Sequence, residues 1–182
     1  MELITISAIL FVIHGLVGVI DGAYFHLRKY KLYAHPESFE EHVTHSLRSL
    51  TLTLSAWLLF VENVGGWLLW TAVAVLVVDL IVQTWDVLIE RRSRTHLGGL
   101  SSVEYLVHTH AIFLAAGFWT VAFISKPVEA WSFSSPAFLA EDNPFIVVLI
   151  GWVMGASALF ATIQHFWLCH PKYRQEAEQE VN

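Results

Sequence analysis

Two stretches of the chain repeat one arrangement of ionisable residues: Asp21 followed by Glu41-x-x-x-His45, and Asp86 followed by Glu104-x-x-x-His108. In each, a carboxylate closes one long apolar segment and a Glu/His pair opens the next. Carboxylates and imidazoles together suit iron, manganese or zinc, and such an ion activates oxygen or a bound water. Ionisable groups within membrane segments are costly and mark functional sites. The expected site is therefore a pair of metal ions, iron favoured over manganese or zinc, ligated by Asp21, Glu41, His45, Asp86, Glu104 and His108.

Other polar residues cluster around these six. His165, His42, Glu90, Arg48 and His110 are candidates for an additional ligand or for orienting one by hydrogen bonding. Seven residues before each aspartate stands another polar group, His14 or Asp79. That spacing is nearly two helical turns, so each pair shares a helix face, and His14 with Asp79 is a candidate proton path. His26, His35, His96 and His170 read as solvated loop or helix-end residues. The competing reading assigns Glu41 and Glu104 to capping boxes with Ser38 and Ser101, and Asp21 and Asp86 to interfacial pairing with nearby Arg or Lys. It leaves the histidines one turn later unexplained.

In ligand inventory the set resembles the four-helix dimetal carboxylate proteins, whose bundles direct Glu and His side chains inward. The chain departs from that pattern in using Glu-x-x-x-His where the family uses Glu-x-x-His.

The elements that must position these residues are apolar helices. The sequence is 55% hydrophobic and 14% charged, with a mean hydropathy of +0.56 and eight Trp in 182 residues. That composition lies outside the range of soluble domains. Runs of roughly 17–25 apolar residues are long enough to cross a ~30 Å hydrocarbon core. The expected architecture is all-α: a single integral-membrane domain over residues 1–182, built as a bundle of five transmembrane helices. Its first four helices form two pseudo-repeated hairpins, residues 3–63 and 66–125, and a fifth helix spans 144–169. Gly18-x-x-x-Gly22 and Gly151-x-x-x-Gly155 offer close-packing faces for neighbouring helices or a second copy. The segment from Lys126 to Asn143, with Trp131, Phe133 and Phe138, is expected at a membrane interface.

Arg28, Lys29 and Lys31, then Arg91, Arg92 and Arg94, then Lys172 and Arg174 all follow odd-numbered helices. The positive-inside rule then puts the N-terminus outside and the C-terminus in the cytoplasm. The start lacks the basic region of a cleavable signal peptide, so the first helix is expected to be retained. A lone Cys169 excludes an internal disulfide, and the absence of a basic stripe argues against a nucleic-acid partner.

The function expected from these residues is a non-haem, dinuclear metal oxidoreductase acting at the cytoplasmic leaflet on a lipid, quinone or other apolar substrate, with a possible electron donor. The alternatives are a b-type haem subunit, with His45, His108 or His165 as axial ligands, and a divalent-metal transporter or noncatalytic accessory subunit.

Overall fold

The computed structural model describes residues 2–174, so the acidic tail from Gln175 lies outside the described residues. Five long helices form: α1 (Leu3–Gly18), α2 (Phe39–Ala56), α3 (Gly66–Ser93), α4 (Ser102–Ile124) and α5 (Phe145–Leu168), with no strand among the described residues. Four stretches are long and apolar enough to cross a membrane: Leu3–Lys29, Gly66–Ser93, Ser102–Ile124 and Phe145–Leu168. The chain is thus an all-helical, multi-pass membrane protein.

The helix that falls outside this set is α2, whose sequence is rich in Ser, Thr, His and Glu. Its position explains its composition. α2 packs along α3 on one side and α5 on the other, while α1 packs along α4 and also meets α5. A helix covered by its neighbours can carry polar residues if their hydrogen bonds are met internally. Ser46, Ser49, Thr53 and Ser55 each donate to the carbonyl four residues back, His42, His45, Ser49 and Thr51 respectively, at 2.6–2.9 Å. Their hydroxyls are thereby hidden.

Two helices change winding. α1 continues without a break as an eleven-residue π-helical segment, Val19–Lys29, and α2 ends in a shorter one, Trp57–Val61. Helix starts also differ from one another. Ser101 caps α4 by accepting from the Glu104 amide at 3.2 Å, as expected. Ser38 does not cap α2; its hydroxyl donates to the Ser93 carbonyl at 2.9 Å, tying α2 to the end of α3.

The apolar core fills the end of the bundle away from the basic residues. Phe11 stacks on Phe60 and meets Phe118 at a tilt, each with ring centroids 4.9 Å apart. At Gly151 an added Cβ would lie 2.9 Å from the Val61 amide nitrogen and 3.0 Å from Phe60, and at Gly155 3.2 Å from the Ala56 Cβ. The Gly151-x-x-x-Gly155 face is therefore used inside the chain, against α2, while Gly18 and Gly22 face open space. The 126–143 segment folds back over this end: Gly65 donates to Ala137 and Leu139 to Asn63, at 3.0 and 2.8 Å, and Asn143 donates to the Phe60 and Glu62 carbonyls that α2 leaves free. Gly66 sits at φ +53 beneath the Ser135 carbonyl.

Candidate metal centre

The opposite end gathers the C-terminal ends of α1, α3 and α5 with the first turns of α2 and α4, and there the ionisable residues meet. His108 lies at the middle of one half: its Nε2 is 2.6 Å from Asp21 Oδ1 and its Nδ1 contacts Glu90 Oε1. In the other half, His45 Nε2 is 3.5 Å from Asp86 Oδ2, and Asp86 accepts from the Thr44 hydroxyl. Glu41 and Glu104 come together from the starts of α2 and α4. All six residues singled out by the repeated spacing, and Glu90 with them, lie in one cluster.

Two residues that complete the cluster were not legible as part of it. His26, expected in solvent, is fully buried between the two halves. Its Nε2 lies 3.3 Å from Asp21, 3.9 Å from Glu41 and 3.9 Å from Glu104, and its ring is 3.9 Å from that of His45. The cause is local winding. On an α-helix Asp21 and His26 would point roughly 140° apart, at 3.6 residues per turn. In a π-helix the repeat is i to i+5, so the two side chains lie along one face. The second residue is Arg94, expected among the interfacial cations but 0% exposed. It lies under the Tyr30 ring, 4.7 Å from its centroid, and brings Nη2 within 2.9 Å of Glu41 Oε1 and 2.5 Å of Glu104 Oε1. These contacts are close but off line, so they share charge without directed hydrogen bonds.

That leaves a concentration of unmet donors and acceptors. Both ring nitrogens of His26, both carboxylate oxygens of Glu41 and Glu104, Nε2 of His45 and Oε1 of Glu90 are buried without a hydrogen-bond partner. Buried polar atoms are nearly always satisfied, so a cluster of orphans asks for a ligand. Two overlapping triads have donor atoms within 4.8 Å of one another: Asp21 with His26 and His108, and His26 with Glu41 and His45. Oxygen and imidazole donors in this mixture suit borderline divalent ions.

The remaining candidates stand apart. His42 and His165 stack at 5.0 Å between α2 and α5, with His42 Nε2 hydrogen-bonded to the His165 carbonyl at 3.0 Å. His110 is exposed and bonds its own helix at Leu106. His14 and Asp79 do not meet: His14 donates to the Ala111 carbonyl at 3.1 Å, whereas Asp79 accepts from Thr51 at 2.6 Å and faces Arg48 at 3.9 Å. The capping reading does not account for the Glu104 carboxylate, which turns to Arg94.

Outside the membrane segments, burial and the neighbouring His96 keep the His35 imidazole below its usual range, and burial lowers the Lys126 ammonium to about 8. Comparison with known proteins returned no match to any family, characterised relative or solved structure.

Proposed function

We propose that this chain is a membrane-embedded, non-haem metalloprotein that binds two divalent ions, iron favoured and manganese or zinc as alternatives, and acts as an oxidoreductase on an apolar substrate. The observation that carries this reading is the charge and donor balance of one buried cluster. Five carboxylates, Asp21, Glu41, Asp86, Glu90 and Glu104, face a single guanidinium in direct contact, that of Arg94. His108 touches Asp21 and Glu90 through both ring nitrogens, as an imidazolium does. Binding a metal would displace that proton, and with all five carboxylates ionised the four negative charges then left beside Arg94 would match two divalent ions. Unpaired buried charge is otherwise prohibitive. His26, His45 and His108 supply the nitrogen donors. A haem reading fits less well, because the His45 and His108 ring centroids are only 6.5 Å apart with His26 packed beside both, too close for a porphyrin plane between them.

In this reading α2 is the fifth membrane-crossing helix, shielded from lipid by α3 and α5. Neither α1 with α2 nor α3 with α4 packs as a hairpin, but a pseudo-twofold exchanging the two repeats would interchange the α1–α4 and α3–α2 contacts, which supports a repeat. The exposed cations Arg28, Lys29, Lys31, Arg91 and Arg92 favour, by the positive-inside rule, a site at the cytoplasmic leaflet with the N-terminus outside. When bound, the metal pair supplies redox and Lewis-acid chemistry; the chain holds it, with His26 on the shared wall and Arg94 fixing Glu41 and Glu104.

The test is elemental analysis and visible spectroscopy of the purified protein beside His26→Ala, His45→Ala and His108→Ala. Two metals per chain in the wild type, lost in all three variants, is the expected result. Equal metal content in all four proteins overturns the assignment, and a sharp Soret band would replace it with haem.

A further inference from the structure

The site is sealed at its basic end and is more accessible one turn deeper, on the side of the membrane-length helices. At the basic end Arg94 lies under Tyr30, Ser38 is bonded to Ser93, and Leu32, Ala34 and Phe25 are buried across the opening. The residues nearest that end, His26, Glu41, Glu104 and Arg94, have side chains no more than 1% exposed. One turn deeper the trend reverses: His108 is 14% and Glu90 11% exposed at the side chain. A site fed from the aqueous phase would show the opposite gradient.

The opening lies between α3 and α4. Although consecutive, these two helices do not pack along each other. Their meeting point is the contact of Glu90 with His108, and one turn before each of these, on the same helix sides, Val87 and Tyr105 are more than half exposed. Beyond Glu90 on α3 stands the exposed Arg91. Asp86 and Arg91 are five residues apart, or about 7.5 Å along the helix. An amphiphile with an anionic head at Arg91 would therefore bring a carbon several bonds down its chain level with the site.

We propose that the site is reached sideways from the bilayer, through the seam between α3 and α4, and that its substrate is the acyl chain of an anionic membrane lipid. This rests on the reading above only in calling the occupant a substrate; the route is testable without metal.

Chelator-treated protein in phosphatidylcholine vesicles is reacted with dicyclohexylcarbodiimide, which partitions into lipid, or with a water-soluble cationic carbodiimide, and adducts are mapped by peptide mass. Glu90 should be modified at least tenfold faster by the lipid-soluble reagent, with the adduct absent in Glu90→Gln. Palmitate should slow that labelling more than hexadecylamine, which has the same chain and a cationic head. Equal or greater labelling by the water-soluble reagent, or no labelling of Glu90 by either, overturns the lateral route. No protection, or equal protection by the two amphiphiles, overturns the anionic acyl substrate. Because the metal ions are stripped beforehand, this experiment can fail while the elemental analysis succeeds, and the reverse.

Discussion

Arg94→Met separates what the guanidinium does from what a metal would do. Arg94 is the largest fully buried side chain of the described residues, and it contacts Glu41 and Glu104 at 2.9 and 2.5 Å where neither carboxylate is more than 1% exposed. Removing one partner of a buried ion pair costs about 3–5 kcal/mol, because the uncompensated charge stays behind. For a chain of this size that corresponds to a fall in Tm on the order of 6–20 °C, at about 2–4 °C per kcal/mol. Thermal unfolding in detergent with chelator present should show this loss, nearly independent of salt, since buried pairs are weakly screened. Replacing the carboxylates as well, in R94M/E41Q/E104Q, removes the charge imbalance and should recover most of the stability. Adding divalent iron or manganese to R94M alone should recover part of it through the same carboxylates. A loss below about 1 kcal/mol in chelator, or a triple variant no more stable than R94M, would refute the charge argument.

Two further predictions concern the opposite end. Gly66→Ala places a Cβ 2.3 Å from the Ser135 carbonyl at a φ of +53, whereas Gly98→Ala, at φ +90, meets nothing within 4 Å. Both carry the left-handed strain of about 1–2 kcal/mol, so thermal unfolding should show Gly66→Ala as clearly the more damaging. Burial holds the Lys126 ammonium at about 8 against an ordinary 10.5. Between those values the unfolded chain binds a proton that the folded chain does not, so stability should rise with pH across that window and stay flat below it. Lys126→Met should abolish the rise in a Tm series from pH 7 to 10.5.

Four of the membrane-length helices were legible because lipid and core both demand apolar residues over a fixed length, and neither demand is subtle. α2 was expected as a span like the others, but it is not apolar enough to qualify by composition; its Ser, Thr, His and Glu residues reflect cover by α3 and α5, a fact no local window contains. The six clustered acids and histidines were legible from their repeated spacing. His26 was not, because helical reasoning at 3.6 residues per turn points it away from Asp21; a run with period five would have been the only signal. Arg94 followed two exposed arginines and looked like a third, and what distinguishes it is the tertiary contact with Tyr30 and two glutamates. Ser38 matched a capping pattern, yet a neighbouring carbonyl, that of Ser93, won its hydroxyl.

The wide winding of Val19–Lys29 has a further consequence for how such a protein can change. A substitution there alters one side chain, but shortening the stretch by a single residue would tighten the coil, swing His26 out of register with Asp21 and split the two triads that share it. Length, more than identity, is the quantity this segment must keep.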